Sequence, residues 1–279
     1  MAQPDVHLHD PQTLYRHWEE QQWNPFEVAL DADRVQWQGL AGEDRELVLW
    51  VLSSLMVAEE RITTKFSGLV GAEASEEETT FLSSQQVDEA RHMQFYARYQ
   101  DEVVACPDAI AGHVANSRER LSPAFREIFD VALVEAHERL LGSPGDLEAK
   151  VAFVTIYHQI LEGTLGLTSY KFVTDYLGRE SLLPGFVEGY SKIHHDEQRH
   201  LGYGTWFLRE AVKAEPGVAE TVRGTLRDLL PAVAEALRPP ERDGTDWDAL
   251  GASGEEIRDF AVGGLRRRLA FVGVPLDSL

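Results

Sequence analysis

The chain holds one cysteine, Cys106, in 279 residues. That excludes an internal disulfide framework and any zinc or iron–sulfur site built from several thiolates. Basic residues are few beside acidic ones: 26 Lys and Arg against 47 Asp and Glu leave a formal charge of −21. Nucleic acid and anionic bilayers both carry dense negative charge, so neither suits this surface as a partner. Long apolar runs are also missing. The longest, Leu47 to Ala58, is interrupted by Ser53 and Ser54. It is too short to span a bilayer and suits a buried helix, so no integral membrane segment is expected. The N-terminus, MAQPDVHLHDPQ, lacks the basic patch and apolar run of a secretory signal. Alternating Val/Ile/Thr runs of strand type are scarce. The expectation is a cytoplasmic protein, and the 43% of residues that are hydrophobic suffice for a globular core.

Helical periodicity fills that frame, with apolar residues recurring at three- and four-residue steps. Residues 1–40 read as an arm packing on the rest, with Trp18, Trp23 and Trp37 and a turn at Asn24-Pro25. Residues 41–279 read as a single helical domain. Its long helices are predicted over about 44–69, 76–104, 146–177 and 184–212. Shorter ones cover 108–142 with a break at Ser122-Pro123, 215–238 and 254–271, and 239–253 reads as a loop. Arg266, Arg267 and Arg268 fall near the end of the last helix, where positive charge complements the macrodipole. The fold class is all-α: a four-helix bundle core with accessory helices.

Chemistry enters through a short repeat. Asp88-Glu89-Ala90-Arg91-His92 and Asp196-Glu197-Gln198-Arg199-His200 are both D-E-x-R-H, each inside a long predicted helix. Residues three apart on a helix share a face, so each Glu–His pair can address one object. Carboxylate oxygen and imidazole nitrogen suit iron or manganese. A dinuclear centre further needs bridging carboxylates from two more helices. Glu59 lies in the apolar stripe Val48, Val51, Leu52, Leu55, Met56, Ile62, Phe66, and Glu162 lies in the apolar third helix. The order Glu, Glu-x-x-His, Glu, Glu-x-x-His is that of ferritin-like di-iron and di-manganese carboxylate proteins.

A single E-x-x-H on an acidic helix is ordinarily surface decoration. Two copies, each preceded by a carboxylate in an apolar stripe, are not, because four buried Glu without metal would cost several kcal/mol per charge. Glu60 rivals Glu59, but only Glu59 is in phase with Leu52, Leu55 and Met56. His158, four residues before Glu162, is a hydrogen-bonding neighbour or an extra ligand. His194 and His195 are out of phase with Glu197, and the remaining histidines carry no signal. Gly163 and Gly166 either make room for a ligand beside the metals or permit close helix packing.

On these residues the chain resembles the ribonucleotide reductase small-subunit superfamily and, within it, the small-subunit-like ligand-binding oxidases. The likeness runs over residues 20–215. It includes W-N-P-x-x-V-x-L-D-x-D-R-x-x-W from Trp23 to Trp37, A-E-E-R-I, Y-H-Q-I-L-E-G, L-P-G and D-E-Q-R-H-L-G-Y-G-T. It implies the ligands Glu59, Glu89, His92, Glu162, Glu197 and His200, and a chain from Trp23 through Asp196 to His92. It further implies a homodimer, a Mn/Fe or Fe/Fe centre that activates O2 for two-electron oxidation, and a bound long-chain fatty acid. An ether cross-link in those oxidases maps onto Tyr157 and Ile62. On an ideal helix Tyr157 and Glu162 point apart, so a π-bulge is needed to bring them together.

Two other readings are kept. Tyr96, four residues after His92, occupies the radical-tyrosine position of a reductase small subunit, whereas the last tyrosine, Tyr203, leaves no tyrosine-bearing tail. The first ligand is Glu where those subunits usually have Asp. The other reading is a non-enzymatic ferritin-like metal-binding protein.

Overall fold

The computed structural model describes residues 8–72, 75–105, 108, 110–238 and 250–276. Two short helices of the arm, α1 (Pro11–Glu20) and α2 (Asp31–Gly39), precede α3 (Gly42–Lys65), α4 (Ser67–Ala72) and α5 (Glu76–Glu102). Then come α6 (Ile110–Arg118), α7 (Pro123–Arg126), a π-helical segment (Glu127–Ala132) and α8 (Leu133–Gly142). The third long helix is composite, with α9 (Leu147–Val154), a π-helical segment (Thr155–Gly166) and α10 (Leu167–Arg179). It is followed by α11 (Pro184–Ala214), α12 (Ala219–Ala236) and α13 (Gly254–Val272). No strand occurs among the described residues, as the sequence pattern requires.

Three of the long helices start where side chains can serve their free N–H groups, while α3 follows Ala41 without a side-chain cap. Ser75 accepts from Glu78 N at the head of α5, and Asp146 from Glu148 N and Ala149 N at the head of α9. In α11 the cap comes from the arm instead. Buried Asp33 accepts from Gly185 N and Phe186 N, both at 2.8 Å, and from the Tyr99 hydroxyl at 2.9 Å. Pro184 fits the first turn, where it needs no N–H partner. Gly185 is required there, since a Cβ would sit 2.3 Å from Ala29 O. The arm thereby fixes the helix that carries the second D-E-x-R-H, while α1 lies across α5 and α11.

The first long helix ends at Lys65, short of the expected Leu69, and restarts as α4 after Phe66. The arginines of α13 are a second departure. The helix runs on to Val272, none of the three lies in its last turn, and Arg268 turns inward. Its guanidinium meets Gln159 Oε1, Gln159 O and Thr164 Oγ1 at 3.1–3.3 Å. The expected loop at 239–253 and the helix end near Cys106-Pro107 fall largely outside the described residues.

Buried apolar side chains form two clusters, and each long helix contributes to both. On α5, Phe81 and Leu82 belong to one and Phe95, Tyr96 and Tyr99 to the other; on α11, Tyr203 and Phe207 face Phe186, Tyr190 and Ile193 in the same division. The D-E-x-R-H segments fall between, so the polar residues meet where the two apolar masses part.

Candidate metal centre

Glu59, Glu89, His92, Glu162 and His200 are buried, while Glu197 keeps 15% of its side chain exposed. Two groups of ligand-type atoms converge. One comprises Glu59, Glu89, His92 and Glu197; the other comprises Glu89, Glu162, Glu197 and His200, with each group's atoms within 4.8 Å of one another. His92 Nδ1 lies 3.3 Å from Glu89 Oε2, 3.5 Å from Glu197 Oε1 and 3.7 Å from Glu59 Oε2. His200 Nδ1 lies 3.2 Å from Glu89 Oε1, 3.3 Å from Glu162 Oε1 and 3.5 Å from Glu197 Oε2. Glu89 and Glu197 each give one oxygen to either group. This corrects the sequence expectation that Glu59 and Glu162 would bridge. The shared carboxylates come from the repeat, because α5 and α11 each place their Glu between the two imidazoles.

The chemistry of the donor set can be tested on its unmet bonds. Glu59 Oε2, Glu89 Oε2, His92 Nδ1, Glu162 Oε2, Glu197 Oε2 and His200 Nδ1 are all buried without a hydrogen-bond partner. Each of the six residues contributes one such atom. Buried polar atoms are normally satisfied, so a concentration of this kind fits a cation-binding site. Four carboxylates and two imidazoles, the latter free at Nδ1, fit two ions of the iron or manganese type.

Burial and mutual proximity also shift the proton affinities of these groups. Burial pushes Glu59 up to about 8, with Glu89 and Glu197 adding to it, and also lifts Glu162 and Glu197. Burial would raise Glu89 too, but His200 and His92 bring it below the ordinary carboxylate range. For His92, burial favours the neutral ring, yet the nearby Glu59 and Glu89 carboxylates and the bond to Asp196 raise it well above its usual value.

Outside the ligands the repeat builds a near-symmetrical frame. His92 Nε2 meets Asp196 Oδ2 at 3.1 Å, and His200 Nε2 meets Asp88 Oδ2 at 3.2 Å. Such partners hold the proton on Nε2 and aim Nδ1 at the metal. Arg91 donates to Asp88 at 2.6 Å, and Arg199 donates to Asp196 at 2.6 Å and across to Asp88 at 3.0 Å. Trp23 Nε1 donates to Asp196 at 2.7 Å, the contact the resemblance implied. Asp88, Arg91, Arg199 and Gln85 were not singled out from the sequence, although the duplicated D and R of the repeat pointed to the first three.

Glu60 is turned away, paired with Arg118 at 3.1 Å on the half-exposed side of α3. His158 stands outside both groups. Its Nε2 lies within 3.4 Å of the Gln85 amide, and Gln85 donates to Glu162 Oε1 at 3.0 Å. Burial, with help from the His200 charge, drives its pKa down to about 3, so the ring is neutral. The π-helical segment puts Tyr157 beside the cluster, where its hydroxyl donates to Glu89 Oε1 at 2.7 Å. Tyr96 is fully buried, and its hydroxyl has no partner.

An apolar cavity open to solvent has Glu59, Glu162 and Glu197 in its lining. Ile62, Tyr96, Leu165 and Gly166 are in its wall. The two glycines therefore divide. Gly166 borders the cavity, whereas a Cβ on Gly163 would sit 2.7 Å from Leu201 and 2.8 Å from Arg268, so Gly163 serves close packing. His194 also lines the cavity, stacked on Tyr170 with ring centroids 3.7 Å apart. No helix among the described residues is long and apolar enough to cross a membrane.

Comparison with solved structures gives the same fold. One variant of an R2-like ligand-binding oxidase with anaerobically reconstituted Mn/Fe cofactor matches with a TM-score of 0.82 at 23% identity, covering 97% of this chain and 95% of that one. A second, also anaerobically reconstituted, gives 0.83 at 22%, covering 98% and 96%. A third, aerobically reconstituted, gives 0.81 at 23%, covering 97% and 95%. The sequence profile described as "Ribonucleotide reductase, small chain" matches residues 5–236. The chain therefore belongs to the ribonucleotide reductase small-chain family.

Proposed function

We propose that this protein is an O2-dependent dinuclear metal oxidase, with Mn and Fe or two Fe held by Glu59, Glu89, His92, Glu162, Glu197 and His200. The observation that carries this reading is the set of six buried, partnerless atoms, one on each of these residues, three of which line an apolar cavity. The Mn/Fe cofactor of the similar structures supports the choice of metals. When bound, the metals supply the electrons and Lewis acidity that activate O2.

The protein's own residues do the rest. Asp196 and Asp88 orient the two imidazoles, and the Arg91 and Arg199 guanidiniums compensate those carboxylates. The cavity takes an apolar chain, which keeps bulk water from the carboxylates. We assign it to a long-chain fatty acid, its carboxylate directed to the metals. Tyr157 can pass its phenolic proton along the bond to Glu89. The reaction we assign joins the Tyr157 oxygen to Ile62 Cβ: the O–H and C–H bonds break, a C–O bond forms, and two electrons and two protons pass to O2. The same reading takes the protein as a cytoplasmic homodimer.

Tyr96 favours a second reading, a reductase small subunit with its radical at that residue. It lies on the cavity wall near Glu59 and Glu197, which help burial to hold its proton on. Its hydroxyl has no acceptor, however, whereas that of Tyr157 has Glu89. A phenol with an acceptor in reach is the easier to oxidise. A tyrosyl radical signal abolished by Tyr96→Phe would favour this second reading.

Anaerobic titration of metal-free protein with Mn(II) and Fe(II), followed by O2, tests the proposal. Two metals per chain and rapid O2 consumption are expected. Reversible metal uptake without O2 consumption would replace the oxidase by a ferritin-like metal-binding protein.

A further inference from the structure

The Trp23–Asp196–His92 arrangement occurs a second time, on the other imidazole. Trp18 Nε1 donates to Asp88 Oδ1 at 2.9 Å, and Asp88 Oδ2 meets His200 Nε2 at 3.2 Å. Each metal position is thus joined through His and Asp to its own tryptophan on the arm. Asp88 already receives Arg91, Arg199 and His200. Two guanidiniums already compensate its charge, so the indole adds a neutral fourth donor, on Oδ1, and not a counter-charge.

The outer end of this second line is distinctive. The Trp18 ring stacks on Tyr15, with centroids 5.8 Å apart and 22° between planes. The Tyr15 hydroxyl donates to Glu19, which is exposed. Tyr15 and Trp18 are both half-buried. A phenol with a carboxylate acceptor loses its electron and proton together more readily than one without. From the surface inward, the order is therefore a proton acceptor, an oxidisable phenol, an oxidisable indole, a carboxylate and the histidine of the centre.

We propose that Tyr15 and Trp18 form a one-electron path that discharges oxidising equivalents from the centre to an external reductant of the ascorbate class. The proposal rests on the oxidase reading and adds what happens once the Ile62–Tyr157 bond exists. That bond forms once per chain; once an external reductant has returned the metals to their divalent states, a later encounter with O2 lacks the two electrons that bond formation supplied. The Trp18 indole gives these two electrons to the centre one at a time. Tyr15 restores it, passing its electron to Trp18 and its phenolic proton to Glu19. For each transfer the reductant returns one electron to Tyr15 and Glu19 returns the proton, so that two transfers bring two electrons from reductant to centre. Without a reductant, the hole stays on Tyr15 or Trp18 and ends as an oxygenated side chain.

The test loads the full chain with Mn(II) and Fe(II), exposes it to O2, re-reduces it anaerobically with dithionite, removes the dithionite, exposes it to O2 again without reductant, and maps oxygenated residues by peptide mass spectrometry. Freeze-quench EPR with ring-deuterated tyrosine is the second readout. Oxygen adducts at Tyr15 and Trp18 are expected, suppressed by ascorbate. In Trp18→Phe the Tyr15 adduct should fall to background at unchanged metal content. In Tyr15→Phe, a change outside the centre, the adduct should move to Trp18 and the deuterium-sensitive signal should vanish. Tyr15 oxidation independent of Trp18, or unmodified Tyr15 and Trp18 in the parent, overturns the path. The Ile62–Tyr157 peptide in the same digest reads the oxidase proposal separately. A cross-link with clean Tyr15 and Trp18 removes the path alone. Trp18-dependent oxidation of Tyr15 without a cross-link upholds the path and removes the cross-link. Neither modification overturns both.

Discussion

Removing the metals should make the protein less stable as pH rises, and loading them should reverse that trend. Glu59, lifted to about 8 chiefly by burial, binds a proton in the folded metal-free state that the unfolded chain releases near its ordinary value. A raised folded pKa gives stability that is full below the unfolded value and is lost as pH climbs to the folded one. The window is thus pH 4.5 to 8. In full, Glu59 alone accounts for on the order of 5 kcal/mol, of which roughly 2 is lost between pH 6 and 8. Glu162, Glu197, His92 and His200 are displaced in the same direction, and Glu89 opposes them. Two bound cations require the deprotonated ligands, so affinity, and with it holo stability, rises over the same range. Urea unfolding at pH 6 and pH 8, with and without Mn(II), measures both slopes. Glu59→Gln should flatten the metal-free slope by removing the group that titrates. Metal-free stability that stays level or increases from pH 6 to 8 would refute the reasoning.

Three further outcomes follow from named contacts. Glu89→Ala or Glu197→Ala removes an oxygen from both ligand groups and should abolish binding of both metals, whereas Glu59→Ala or Glu162→Ala should leave one per chain; elemental analysis after desalting decides. Arg268→Met leaves Gln159 Oε1 and Thr164 Oγ1 of the π-helical segment without their guanidinium donor. It should cost about 1–3 kcal/mol in chemical denaturation and lower the yield of modified Tyr157. Asp33→Ala strips the head of α11 of its acceptor and leaves Tyr99 unpaired. A loss of about 3 kcal/mol is expected from thermal or urea unfolding.

Much of this architecture is legible in the sequence, because a helix advertises itself by local periodicity and a ligand by its phase within it. Glu59 could be told from Glu60 by its spacing from Leu52, Leu55 and Met56. The structure places Glu60 on Arg118 instead. The need for a π-bulge followed from the angular distance between Tyr157 and Glu162, and the Thr155–Gly166 segment supplies it. What could not be read depends on contacts between distant segments. Which carboxylates are shared follows from how α5 and α11 face each other, not from spacing along either. Arg268 looked like a charge complementing a helix end, yet it lies 109 residues from the Gln159 carbonyl it serves. Trp18 gave no phase signal, since its partner Asp88 is 70 residues away on another helix. Asp33 likewise caps a helix some 150 residues later.

The oxidase proposal is tested most directly by the covalent state of Tyr157. The protein should be loaded anaerobically with Mn(II) and Fe(II), exposed to O2, digested and mapped by mass. A fused peptide pair joining Tyr157 to Ile62, two hydrogens lighter than the sum of its parts and absent from protein kept under argon, is the predicted result. Unmodified Tyr157 in protein that carries both metals and has consumed O2 would contradict it.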